Sequence, residues 1–243
     1  MTTLARDRAA IAAVLADMPH LAVGVGSRDS ACTVAVINLA LTGEVTDDCP
    51  DCMSPVLHRA VIVLQDAMPA ELRDSASYRA LVHLMAGTAD GRDDARLAIL
   101  QDWMWTVVLP THQAEADRLG YGDAWEQMCS LRTYVAAKDA SAAAEAAGAS
   151  AAAQAAIAAA KAVWAAGKAA WAASVAAQTA GAAKAAKAAK FAKAAKSAGV
   201  AWAAEAARAA AKAADAAGAA RDYWAIVDPV GLVGRFIDPE AST

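Results

Sequence analysis

Between residues 141 and 220, 48 of 80 positions are alanine. Alanine is the best helix former, loses no side-chain entropy on folding and buries little area. This part of the chain is therefore expected to be helical and to pack through many small contacts. As one helix, residues 136–226 would run about 135 Å, too long for a compact chain of 243 residues. Gly148, Gly167, Gly181, Gly199 and Gly218 offer breaks. The tract is expected to fold back on itself as a hairpin or bundle of long helices.

Within it, Lys184, Lys187, Lys190, Lys193 and Lys196 recur at every third position. Three residues turn a helix by about 300°, so five such lysines sweep about 240° and leave a wedge of about 120° without charge. Gly181, Ala185, Ala188, Ala192, Ala195 and Gly199 fill that wedge. Their 4-3-4-3-4 spacing is a heptad-like seam of small residues, suited to close approach of a second helix. Upstream, Trp164 and Trp171 share a face, flanked by Lys161 and Lys168. One reading is a core stripe covered by lysine stems. The other is an anion-binding platform for nucleobases and phosphates that also takes in the five lysines downstream. Residues 136–222 carry a local charge of +6 and the remainder −10. That asymmetry fits either an anionic partner or attraction between two parts of the same protein.

Residues 1–135 read as an ordinary helical domain. Helices are expected over 3–16, 31–41 (stopped by Gly43), 54–68 (opened by Ser54-Pro55 and broken by Pro69), 71–86, 90–109 with resumption through Leu119, and 123–135. Residues 19–30 and 44–53 read as loops, and the β-branched runs VAVIN and VLHRAVIVL fall inside helices. The tail from 227 to 243 holds Pro229, Pro239 and two glycines. It is expected to be extended, with Val230, Leu232, Val233 and Phe236 pinned to another surface. The fold class is thus all-α, in three parts: 1–135, 136–226 and 227–243.

Chemistry is sparse. Cys49-Pro50-Asp51-Cys52 has the spacing of a redox pair, but no strand precedes it. The alternative is zinc held by Cys32, Cys49 and Cys52 with His20 or His58, although a second CxxC is missing. Otherwise these are reduced thiols in a loop and at helix ends, and no cofactor is expected. No HExxH, GxSxG, Walker A or GxGxxG pattern occurs. The start of the chain lacks a secretory pattern, and no segment reads as membrane-spanning, so a cytoplasmic protein without membrane contact is expected.

In order along the chain stand His20-Leu21-Ala22, Gly24, Cys32, Gly43-Glu44, Cys52-Met53-Ser54-Pro55-Val56, Asp66-Ala67-Met68-Pro69, Gly87-Thr88 and Asp102-Trp103. With the alanine-rich C-terminal half, this order resembles a family of uncharacterised proteins of actinobacteria and their phages, over residues 18–105. Asp48-Cys49-Pro50 departs from it, standing where a His-Pro pair is expected. The resemblance implies a helical fold and no activity. The sequence thus points to a non-enzymatic protein that acts through contacts with itself or another protein. Nucleic-acid binding through the Lys/Trp face is the alternative.

Overall fold

The computed structural model describes residues 2–150, 153–154, 156–158, 160–161 and 220–240. Every regular element among them is helical, so the protein is all-α. None of these helices is long and apolar enough to cross a membrane. Contacts divide the chain into two compact units, one of residues 1–99 with 228–243 and the other of residues 100–227. The tail is thereby assigned to the first unit.

In the first unit, α1 (Thr3–Ala16) is capped by the Thr2 hydroxyl and buries Ile11 and Leu15. It packs on α2 (Thr33–Thr42), whose residues Thr33 to Asn38 are all buried. A helix apolar on every side belongs in a core. It stops at Gly43, which takes the left-handed conformation expected of a C-terminal glycine. In α3 (Pro55–Ala67) the Ser54 hydroxyl accepts from Val56 and Leu57 N–H, and Pro55 occupies the first turn. Both β-branched runs lie within α2 and α3.

The single helix expected over 71–86 is instead α4 (Ala70–Arg73), α5 (Ala76–Val82) and a 3-10 turn, His83–Met85. The break has a tertiary cause. Arg73 donates to the carbonyls of Leu21, Gln65 and Met68. Asp74 accepts from Leu21 N–H at 2.8 Å and pairs with His20 at 2.9 Å. Ser75 then caps α5 through Tyr78 N–H. These side chains hold the 19–30 loop. That loop turns at Gly26 (φ +81), where an added Cβ would collide with the Ser30 carbonyl oxygen.

In α6 (Asp93–Trp103), Arg96 is fully buried. The tail, expected to be extended, is helical. After the last helix of the second unit, α10 (Ala220–Val227), comes α11 (Pro229–Ile237). It packs on α3 and α5 and buries Leu232, Val233 and Phe236. The pinning residues are those expected apart from Val230, which is only half-buried. Asp228 caps this helix by accepting from Gly231 N–H at 3.0 Å.

In the second unit the helix of Trp103 continues as a π-helical turn, Met104–Val108, and a 3-10 turn, Leu109–His112. Pro110 lacks an N–H and its ring crowds the preceding turn. The irregular turns carry the chain past it into α7 (Gln113–Leu119). Trp103 and Trp125 are buried and donate their indole N–H to the carbonyls of Val227 and Leu109 at 2.8 and 3.0 Å. The helix expected over 123–135 ends early. It is α8 (Gly122–Leu131), followed by Arg132 in the left-handed region (φ 52), Thr133 as a new N-cap and α9 (Tyr134–Ala146).

Candidate functional site

The cysteine-bearing loop was the one stretch with recognisable chemistry, and its polar atoms are turned to structure. Cys32 is buried and caps α2, its Sγ accepting from Ala35 N–H at 3.4 Å. Cys49 is exposed, with Sγ donating to the carbonyls of Pro50 and Met53 at 3.8 and 3.7 Å. The Cys52 carbonyl accepts from Gly87 and Ala89 N–H. His58 places Nε2 2.7 Å from the Asp47 carbonyl oxygen. Asn38 donates to the carbonyls of Thr46 and Asp48, each at 2.9 Å. The loop is held by its backbone.

Among the described residues, no group of three or more His, Cys, Asp or Glu is arranged to hold a metal ion. Cys32, Cys49, Cys52 and His58 are therefore not brought together as a ligand set. Burial pushes the thiols of Cys32 and Cys52 up and the imidazole of His58 down. A redox pair needs the opposite, a thiol whose pKa is lowered. His20 lies apart from this loop, on Asp74. Burial alone would raise the Asp74 carboxyl, but the Leu21 N–H and the His20 ring outweigh it and hold it below its usual value.

Of the lysine–tryptophan residues, Lys161 is half-buried in a helical stretch. Trp164, Lys168, Trp171, Lys184, Lys187, Lys190, Lys193 and Lys196 lie outside the described residues, as does the seam of Gly181, Ala185, Ala188, Ala192, Ala195 and Gly199. A different row of small residues is described nearer the start of the tract. Ala149, Ala153, Ala156 and Ala160, spaced 4-3-4, are all buried. Ser150 opens this row. Its N–H and hydroxyl donate to the Glu115 carboxylate at 3.2 and 3.1 Å, and its Oγ accepts from Ala153 N–H.

The feature that the sequence did not reveal is the corner between α8 and α9. The inner face of α9 consists of Ala136, Ala137, Ala140 and Ala144, all buried. Its first turn and the last residue of α8 point large apolar groups outward. Leu131 is 54% exposed, Tyr134 41% and Val135 66%. At this first turn the larger apolar residues lie outside and alanines inside, while Lys138, Asp139 and Glu145 make the rest of the outer face polar. Arg132 turns the corner and pairs with Asp102 at 3.4 Å, both side chains about half-exposed, which adds little stability. Reading 123–135 as one helix hid the corner. The Thr133 hydroxyl, a preferred N-cap that accepts from Ala136 N–H, was the signal for it.

No family model, curated protein or solved structure matches the chain.

Proposed function

We propose that this chain is a non-enzymatic helical protein that self-associates through protein–protein contacts, with the α8–α9 corner as one contact surface. The observation that carries this reading is the set of large apolar side chains exposed at the α8–α9 corner. Leu131, Tyr134 and Val135 stand out in water while alanines fill the interior. Large apolar side chains exposed together in one short stretch of chain point to an interaction surface. Each, if covered, contributes up to about 1.5–3 kcal/mol. The buried alanine row at 149–160 supports close helix packing as the way such contacts are made in the tract. A cytoplasmic location and kinship with the actinobacterial and phage family belong to the same reading, the kinship resting on the motifs of residues 18–105.

The test is the molar mass in solution by light scattering at low and high salt, for the wild type and V135E. An oligomer that persists in high salt and is lost in V135E is the expected result. A wild-type chain that stays monomeric at every concentration and salt overturns the reading. Nucleic-acid binding is favoured by one observation, the +6 charge of residues 136–222. It requires affinity for single-stranded polynucleotide that falls steeply with salt.

A further inference from the structure

We propose that the Glu115 carboxylate is a proton-controlled latch. It holds Ser150 while His112 is neutral and turns to the imidazolium once His112 is protonated, so that acid undocks the start of the alanine tract from α7. The latch does not depend on self-association, and all of its parts lie in the unit of residues 100–227.

The first observation is one carboxylate with two claimants. Its Oε1 accepts from Ser150 N–H at 3.2 Å and its Oε2 from the Ser150 hydroxyl at 3.1 Å. The same Oε2 lies 3.9 Å from His112 Nδ1, beyond hydrogen-bond reach. The other hydrogen bonds of Ala149, Ala153 and Gln154 are local, to Ala144, Ser150 and Ala149. Among the described residues, the Ser150 pair is therefore the polar tie between α7 and the turn where the buried row of Ala149, Ala153, Ala156 and Ala160 begins.

The second observation is the setting of His112. The ring is 6% exposed and packs on Trp125 with centroids 5.7 Å apart. Among the described residues, Glu115 is the one charge that acts on it. Elsewhere on α7, Asp117 is held by Gln113 at 2.8 Å and Arg118 is exposed. Asp123 and Glu126 of α8 are exposed, as are Lys138, Asp139 and Glu145 of α9. The preceding π-helical turn, Met104–Val108, has no titratable side chain. Tyr121 also packs on Trp125, and burial keeps it neutral. Burial favours the neutral form of His112 as well, against the pull of Glu115. The ring therefore charges only below its ordinary value of about 6.5. A buried charge without a close partner is costly, and a charge-assisted bond closes to about 2.7–2.9 Å. The ring is fixed by its packing, whereas the Glu115 side chain is 23% exposed and is the partner with room to move. A shift of about 1 Å closes the pair. It also draws the carboxylate off two bonds that already stand at the long end of the hydrogen-bond range. Ser150 Oγ still accepts from Ala153 N–H, so the helix keeps its cap while its tie to α7 is lost.

The test uses the full-length wild type, H112Q and S150A. The Ser150 amide and the His112 ring are followed by NMR from about pH 8 down to the onset of unfolding. In the wild type the Ser150 amide resonance is expected to move with the midpoint of the His112 ring, above the ordinary carboxyl range near about 4.3. In H112Q that movement is expected to vanish. The coupling is reciprocal, so removing the rival hydroxyl in S150A is expected to raise the affinity of His112 for its proton about fivefold. A contact that is only structural leaves that midpoint where it was. A Ser150 amide that moves only in the carboxyl range overturns the latch, and so does one that moves equally in H112Q. A His112 ring that stays neutral until the chain unfolds also overturns it. Should H112Q fail to fold, the His112 midpoints of wild type and S150A decide, and equal values overturn the latch.

Discussion

Arg96 donates to the carbonyl of Phe236 at 2.7 Å across 140 residues of chain. Its terminal nitrogens hold Asp90 at 2.7 and 3.0 Å. One buried guanidinium thus fastens the last helix to the start of α6, with its charge answered by a carboxylate. Losing hydrogen bonds to a charged group costs about 1.5–3 kcal/mol. R96M leaves Asp90 without its main partner and the Phe236 carbonyl without its donor. Urea unfolding should show a loss of this size, and R96K most of it, since an ammonium cannot reproduce the fork. A loss in R96M below about 1 kcal/mol would mean that the apolar contacts of α11 suffice alone.

The same pair gives the acid side of the stability profile. Arg96, together with the Arg92 N–H, holds the Asp90 carboxyl well below the usual carboxylate range. A depressed carboxyl contributes stability that is present above its unfolded value of about 4 and is lost as pH falls toward the folded one. D90N should be less stable than the wild type at pH 7, and the gap should narrow on acidification below about pH 4.

His112 acts at higher pH. It is buried against Trp125, with ring centroids 5.7 Å apart, and its Nε2 has no hydrogen-bond partner among the described residues. Burial pushes its pKa down, and Glu115 at 3.9 Å only partly offsets this. The unfolded chain then takes up a proton near pH 6.5 that the folded chain refuses. Stability is full above that pH and falls below it, by at most about 1.4 kcal/mol per pH unit. His58, also lowered by burial, adds a slope of the same sign. H112F should flatten part of the decline in melting temperature between about pH 6.5 and 5. An unchanged slope would assign the decline to His58.

The thiols should differ in rate. Cys49 is exposed, Cys32 is buried, and burial pushes Cys129 up to about 11. A bulky disulfide reagent at neutral pH is expected to modify Cys49 first, followed after a clear lag by the others. C49S should remove the fast phase.

Where the chain carries its own local signals, the sequence sufficed. Ser54-Pro55 opened α3 and Gly43 closed α2 as side-chain capping and a left-handed glycine require. It failed where distant contacts decide. Nothing within 71–86 shows that Arg73 and Asp74 are drawn to Leu21, about fifty residues earlier. The prolines and glycines of the tail suggested an extended segment, yet Asp228-Pro229 already had the form of an N-cap and first helical residue. At the α8–α9 corner a left-handed arginine stands where glycine would have announced the end of a helix. The cysteine loop looked reactive because a sequence cannot show that the His58 ring faces the Asp47 carbonyl.

The first unit is built from both ends of the chain, with residues 100–227 placed between its parts. During translation, α3 and α5 emerge well before their cover, α11, because residues 83–228 are made in between. At roughly 5–20 residues per second, the ribosome leaves that surface bare for several seconds or more. Over this interval a nascent chain is open to capture by a chaperone.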